Sequence, residues 1–353
     1  MAGVTLDDVA ALAGVSQPTA SRVLNGSART PSPAVVEAVR RAADELGYVS
    51  NAQAQALARS YSGLVGLVVH DLADPYFSSI ASGAQREAAQ RGRQMLVATT
   101  LRSPAQELAA VMSFIGYRTD AIVLAGSRSR GSVRTREHNQ LTRSLGQYLD
   151  NGGRLAVIGQ RLAGAHSVEP QNAQGAAALA GALMDQGTQE FVVLAGPREL
   201  ITAADRCAGF AAELKRRDVA PRAVVHGDFT RDGGYTAART MVDQLGLTSG
   251  WGGCVFAVND VMALGAAAAL RDAGLRVPDD VGVAGFDDIP TLRDYAPAMT
   301  TVGLPLADMG SSAVALALSG DHGDGPTRLR VTGEVRLRAS TGSSARRPLR
   351  IEQ

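Results

Sequence analysis

Two adjacent carboxylates, Asp287 and Asp288, follow an apolar run that ends at Gly285. Paired acids at the end of a strand can do acid–base work, can accept hydrogen bonds from a hydroxyl-rich ligand, or can cap the next helix. The residues themselves leave these three open. The motifs that would favour catalysis are missing: no G-x-G-x-x-G follows the first strand, and there is no phosphate loop, no G-x-S-x-G and no H-E-x-x-H. The histidines His70, His138, His166, His226 and His322 stand without ligand spacing and read as surface or strand-end residues, so neither a metal nor a cofactor is expected. Cys207 and Cys254 lie in apolar segments with no C-x-x-C or C-x-x-H spacing, which predicts buried, reduced thiols. A basic segment, Arg128, Arg130, Arg134 and Arg136, follows the strand ending at Leu124 and reads either as an anion site or as a solvated loop. The inventory is that of a binding protein, not an enzyme.

The chain that must position these groups has 353 residues, 45% hydrophobic and 20% charged. That is enough for an ordinary core and suggests about two to three domains. The longest uncharged apolar stretch, Val261 to Leu270, is about half a membrane span, so no membrane partner is expected. Met1 to Ala10 carries two aspartates and no basic residue, unlike a secretion signal, and a cytoplasmic protein is expected. The net charge of +1 provides no bulk attraction for nucleic acid, so any DNA binding must be local.

Residues 1–60 read as short helices with strong punctuation. Thr5 and Asp8 form a capping pair before a helix whose buried face is Leu6, Val9, Ala10 and Ala13, stopped by Gly14. Ser16 caps a second helix from about Gln17 to Leu24, with Pro18 in its first turn and Asn25-Gly26 at its end. Its inner side is Ala20, Val23 and Leu24, and its outer side Gln17, Pro18, Ser21 and Arg22. A third helix starts at Ser32-Pro33, runs through Val36, Val39, Ala43 and Leu46, and ends at Gly47. Such a unit is either a helix-turn-helix whose second helix fits a major groove or a plain three-helix bundle. Acidic residues balance its arginines, so phosphate attraction is modest and two heads on a dimer would be needed.

From Leu64 onward, short β-rich runs alternate with Ala-rich amphipathic stretches. Strands are predicted at Leu64–Val69, Met95–Thr99, Ala121–Leu124, Leu155–Ile158, Phe191–Leu194, Ala223–His226, Cys254–Val258 and Val281–Ala284. This alternation predicts parallel sheets, and the strand count predicts two lobes with a cleft between them.

The string Val4-Thr5-Leu6-Asp7-Asp8-Val9-Ala10-Ala11-Leu12-Ala13-Gly14-Val15-Ser16, followed by Ser21-Arg22-Val23-Leu24-Asn25-Gly26, closely resembles the DNA-binding head of the LacI/GalR family of bacterial transcription regulators. Leu46-Gly47-Tyr48-Val49-Ser50-Asn51, with Ala54 and Leu57, is similar to the family's hinge, in which a leucine wedges into the minor groove. The remainder is similar to its effector domain of periplasmic-binding-protein fold. The resemblance implies a helix-turn-helix head at 1–49, a hinge at 50–61, a two-lobed domain at 62–340 and a tail at 341–353. The first lobe would take about 62–160 and 291–322, the second about 161–290 and 323–340. The resemblance also implies a dimeric, nucleoid-associated repressor on double-stranded operator DNA, controlled by a small molecule of the sugar class. DNA contacts would come from Thr5, Leu6, Ser16, Gln17, Pro18, Thr19, Ser21, Arg22, Asn25, Asn51, Ala54 and Leu57. Asp74-Pro75-Tyr76-Phe77, Gly196-Pro197 through Arg206, and Val258 through Gly265 resemble cleft segments. They imply an effector lining of Tyr76, Phe77, Arg102, Gln160, Thr202, Arg206, Phe229, Asn259 and Asp287.

Departures are visible. Ser50 stands where the family usually has proline, and Val35-Val36 replaces a phosphate-touching Thr-Arg pair. Gln160 and Gln171 replace acceptor carboxylates, and Leu200 replaces an arginine of purine-responsive relatives. The departures keep open a DNA-binding regulator whose cleft has lost or changed its sensing. A solute-binding protein without a DNA-binding head is a more distant alternative. The C-terminal residues lack leucine heptads, which predicts a dimer without further assembly.

Overall fold

The computed structural model describes residues 4–25, 31–49, 62–131, 135–319 and 325–342. The chain divides into two compact units between Gly63 and Leu64. Ser50, Asn51, Ala54, Leu57, Arg134, His322 and nearly all of the C-terminal tail lie outside the described residues.

The first unit is three helices, α1 (Leu6–Leu12), α2 (Gln17–Asn25) and α3 (Pro33–Leu46). The Thr5 hydroxyl accepts from the Asp8 amide while the Asp8 carboxylate accepts from the Thr5 amide, a reciprocal cap that satisfies two donors at the start of α1. Gly47 ends α3 in the left-handed conformation, φ 62°. Val9, Ala10, Ala20, Val39, Ala42 and Ala43 are buried together, with Leu6, Ala13, Val23, Leu24 and Leu46 packed around them. The expected inner faces of α1 and α2 are therefore the observed ones. On α3, Val35 packs against this core in place of the expected Val36.

The second unit contains two parallel sheets. β1 (Leu64–Val69), β2 (Gln94–Thr99), β3 (Ala121–Gly126), β4 (Leu155–Gly159), β5 (His166–Pro170) and β11 (Arg328–Val331) form the first, in the order β11-β5-β4-β3-β1-β2. β6 (Phe191–Ala195), β7 (Ala223–His226), β8 (Cys254–Ala257) and β9 (Gly282–Ala284) form the second, in the order β7-β6-β8-β9. Central strands such as Ala121–Gly126 and Phe191–Ala195 are nearly continuous apolar runs because helices cover both faces. β10 (Thr301–Gly303) pairs antiparallel with β12 (Glu334–Arg336), and bridges from Thr300 to Ala284 and from Gly303 to Asp287 tie this ribbon to the end of β9.

The placement of β5 and β11 differs from the sequence-derived division, which gave 161–290 and 323–340 to the second lobe. Both strands pair into the first sheet, Val157 to Ser167 and Leu329 to Val168. Their polar, partly exposed sequences, HSVEP and RLRV, lack the apolar run by which the central strands announce themselves. The chain thus crosses between lobes after β5, after β9, and again between β11 and β12.

Helices pack in close pairs: α4 (Pro75–Gln90) against α11 (Leu306–Leu318), α7 (Asn172–Asp185) against α8 (Ile201–Arg216), and α9 (Arg231–Leu245) against α10 (Asp260–Asp272). α5 (Pro104–Gly116) and α6 (Arg136–Asp150) cover the other face of the first sheet. At the first pair, a Cβ on Gly83 would fall onto the Ala307 carbonyl and one on Gly310 onto that of Ile80. Glycine is needed there for the backbones to meet. Among the described residues no helix is long and apolar enough to cross a membrane.

Candidate functional site

The cleft lies beyond the carboxyl ends of the strands, where parallel sheets leave a crevice. Its floor is set by Asp287, which follows β9 with φ 117° and is held by a hydrogen bond from its amide to the Val302 carbonyl at 2.8 Å. Arg206, in the second turn of α8, is only 2% exposed, and four of its five N–H donors are engaged. Its Nη2 donates to Asp287 Oδ1 at 2.6 Å and its Nη1 to Oδ2 at 3.2 Å. Nη1 also donates to the Val258 carbonyl at 2.8 Å and Nε to Asn172 Oδ1 at 2.9 Å. The guanidinium lies 3.9 Å from the Phe286 ring centroid. Burial pushes the Asp287 carboxyl up to about 6, against the downward pull of this guanidinium.

Around this pair the pocket collects Tyr76, Phe77, Arg102, Thr202, Phe229 and Asn259, together with His70, Asp74 and Asn172. Asp74 caps α4 by accepting from the Tyr76 amide at 3.0 Å, which turns Tyr76 and Phe77 into the cleft edge to face, 5.0 Å apart. Asn259 caps α10 through the Met262 amide at 2.9 Å. The Arg102 guanidinium sits 5.6 Å from the Phe229 centroid. Of the residues expected to line the cleft, all but Gln160 share this one pocket. Gln160 lines an adjoining cavity, its Nε2 donating to Thr202 Oγ1 at 3.0 Å and its Oε1 accepting from the Arg128 amide at 2.7 Å.

His70, read from the sequence as a surface or strand-end residue, is half-buried at the end of β1 and lines the pocket. Burial and the nearby Arg102 lower it to about 4, so it is uncharged at neutral pH. Its ring nitrogens lie 3.1 Å from Thr100 Oγ1 and 3.2 Å from the Ser127 carbonyl. No motif marked it. Asn172, which follows Gln171, owes its place in the pocket to its contact with Arg206.

Asp288 turns the other way and pairs with Arg336 and with Arg338, the latter at 2.7 Å. The two neighbouring acids therefore do not work on one substrate atom. Nearby, Asp260 is fully buried, accepting from Thr301 Oγ1 at 2.7 Å and the Ile289 amide at 2.9 Å. Burial and the charge of Asp287 push it up to about 7. Cys254 is buried as expected, whereas Cys207 is half-buried; burial raises their thiols to about 12 and about 11. Among the described residues no cluster of three or more His, Cys, Asp or Glu could hold a metal ion.

In the first unit, Ser16, Gln17, Pro18 and Arg22 are exposed, and Thr19 and Ser21 half-buried. α2 therefore presents a polar face. Ser16 Oγ meets Thr19 Oγ1 at 2.9 Å at the start of α2. Thr5 is exposed and Leu6 half-buried in the helical core.

Comparison with known proteins bears on both units. Residues 5–51 match the model for bacterial regulatory proteins of the lacI family, and residues 180–341 that for a periplasmic binding protein-like domain. The chain is 33% identical over 345 residues to the transcriptional regulator CelR of Thermobifida fusca, covering 94% of this chain and 96% of that protein. It is 35% identical over 329 residues to the regulator GalS of Salmonella typhimurium, covering 91% of each. The chain belongs to the LacI family. Among solved structures, a lac repressor dimer bound to operator and an anti-inducer matches with TM-score 0.81 and 26% identity, covering 97% of this chain and all of that one. A CelR–cellobiose complex matches with TM-score 0.68 and 30% identity over 96% of this chain and 99% of that one. This LacI-family chain is thus a transcription regulator with a helix-turn-helix head and a periplasmic-binding-protein-like domain.

Proposed function

We propose that the protein is a dimeric repressor that reads operator DNA with α2 and releases or tightens on it when a sugar enters the cleft. One observation carries the sugar assignment: the buried Arg206–Asp287 pair, with Asn259 beside it and the rings of Tyr76, Phe77 and Phe229 around it. Hydroxyls of a pyranose or furanose ring can donate to the carboxylate and accept from the guanidinium, while flat aromatic faces cover its C–H surface. The structure of CelR in complex with cellobiose points the same way. Leu200 stands where purine-responsive relatives place an arginine, and the loss of that donor disfavours a purine.

On the DNA side, Gln17 can pair with adenine, whereas Pro18 can only offer apolar contact. Arg22 is the exposed cation of α2. With so little phosphate attraction, the Leu57 wedge would add the bend and contact that affinity needs.

A second reading has one observation in its favour. The Gln160 amide is spent on Thr202 and the Arg128 backbone, which suits a regulator with altered sensing.

Fluorescence anisotropy of the intact chain on its own upstream intergenic DNA, at fixed salt, tests the regulatory reading. Tight binding over random DNA that is severely weakened by Leu57→Ala supports it. Equal affinity for random and upstream DNA in both proteins, with and without cellobiose, lactose, maltose, glucose or galactose, overturns it.

A further inference from the structure

Two consecutive residues with side chains take positive backbone angles at the floor of the pocket: Asp287, φ 117°, and Asp288, φ 55°. Such a turn persists only where its surroundings hold it in place. β10 and its flanks hold one side. The Gly285 amide donates to the Thr300 carbonyl at 2.9 Å, the Asp287 amide to that of Val302 at 2.8 Å and the Leu304 amide to that of Asp287 at 3.2 Å.

A single residue holds the other side. Asp260, the first residue of α10, is fully buried, and its amide donates to the Phe286 carbonyl at 2.9 Å, just before the turn. Its Oδ2 accepts from the Ile289 amide at 2.9 Å, just after the turn. Its Oδ1 accepts from Thr301 Oγ1 at 2.7 Å, which ties the same carboxyl group to β10. Gly285 leaves the room for this, since a Cβ there would lie 2.2 Å from Asp260 Oδ1. Asp260 itself does not line the pocket.

We propose that Asp260 is a positioning residue for the pocket: by gripping the Asp287–Asp288 turn at both ends, it sets where the Asp287 carboxylate meets Arg206. The bidentate pair with Arg206 engages both Asp287 oxygens, so a shift of the turn is felt directly at the guanidinium. That the turn serves a ligand rests on the sugar reading of the pocket, whereas the grip does not.

The grip depends on a proton. The charges facing Asp260 are the carboxylates of Asp287 and Asp288, and Arg206, Arg336 and Arg338 are bound to those two. Of the packed helix α9, Arg231 and Asp232 are exposed, and β10 brings only threonine, valine and glycine. Burial and the charge of Asp287 raise Asp260 to about 7. As a neutral acid it still accepts from Ile289 while its O–H donates to Thr301. As a carboxylate it places a second negative charge beside Asp287. A solvated aspartate titrates at about 4, so the gripped turn holds the proton more tightly than the released one. The grip is therefore strongest at low pH and weakens as pH climbs through about 7.

Hydrogen exchange of the intact chain, read by mass spectrometry on peptides spanning 286–290 and, for reference, β6, tests this. Asp260→Ala lowers protection of the turn at least about tenfold more than that of β6. Asp260→Asn, whose side-chain oxygen serves Ile289 and whose amide serves Thr301, keeps the turn within about threefold of the wild type at pH 6. From pH 6 to pH 8, protection of the wild-type turn falls at least about fivefold and that of Asp260→Asn at most about twofold. Thr301→Val keeps the side-chain volume and removes one donor. It loosens the turn at least about threefold more than β6, and decides the matter if Asp260→Ala does not fold. Equal loss of protection in the turn and in β6 makes Asp260 an ordinary core residue and overturns the proposal. So does a pH-dependent fall in Asp260→Asn as large as that of the wild type. No sugar enters the measurement, so failure of the grip and failure of the sugar reading are told apart.

Discussion

Replacing Arg206 by methionine tests the arrangement at the floor of the cleft. The change keeps most of the apolar stem but leaves the Asp287 carboxylate buried without its counter-charge and the Asn172 and Val258 oxygens without a donor. Breaking a buried ion pair from one side costs roughly 3–5 kcal/mol. The carboxylate can escape that penalty by taking up a proton, and its titration is already raised to about 6 with the guanidinium in place. Without Arg206 it rises further, because burial then acts unopposed. An acid whose folded-state titration is raised favours the folded state at low pH and loses that contribution as pH climbs through the raised value. The extra penalty of the variant over the wild type therefore opens above about pH 6. It widens by up to roughly 2–3 kcal/mol between pH 6 and pH 8, reaching the full roughly 3–5 kcal/mol at the upper end. Urea unfolding followed by far-ultraviolet circular dichroism at several pH values measures it. Adding Asp287→Asn removes the pH dependence of the deficit. A deficit below about 1 kcal/mol at pH 8, within the range of an ordinary surface change, or one that stays constant from pH 6 to pH 8, refutes the reasoning.

Asp260, raised to about 7, makes wild-type stability fall with rising pH by up to about 1.4 kcal/mol per unit between roughly pH 4 and pH 7. Asp260→Asn flattens that slope in urea titrations, because Thr301 can turn its hydroxyl to accept from the new amide. Thr5→Ala removes the reciprocal cap on α1 and costs about 1 kcal/mol, read as faster hydrogen exchange of the α1 amides with the second unit unchanged. Gly83→Ala drives a methyl group into the Ala307 carbonyl and lowers stability by roughly 1–3 kcal/mol, in spite of alanine's better helix propensity, as calorimetry will show.

The sequence was most informative where one residue type answers one local demand. Thr5 with Asp8, Gly47 and the apolar periods of α1 and α2 announced the head, since caps and buried faces are short-range properties. The central strands were equally plain, being apolar on both faces. β5 and β11 escaped because they close one side of the sheet, β11 as its edge strand and β5 beside it, with polar, partly exposed sequences, and RLRV cannot be told from a loop without its neighbour. The cleft divides the same way. Arg206, Asp287, Asn259 and the aromatic residues sit in segments that resemble the family's, so they could be named in advance. His70 could not, because its place in the pocket depends on Thr100 and Ser127, 30 and 57 residues away in the chain. The pairing of Arg128–Arg130 with Glu199–Ile201 is closed by backbone hydrogen bonds, which side-chain identities do not report.

The central claim is that occupancy of the Arg206 pocket sets the affinity for DNA. A linked equilibrium requires that a ligand bound more tightly by one conformation shift the other function by the same factor. The direct measurement is operator anisotropy of the intact protein with and without whichever sugar binds it calorimetrically, for the wild type and for Arg206→Met. The account predicts at least about a fivefold change in wild-type operator affinity, of the order expected for coupled sites, and none in the variant. A sugar that binds in the cleft and leaves operator affinity untouched contradicts it.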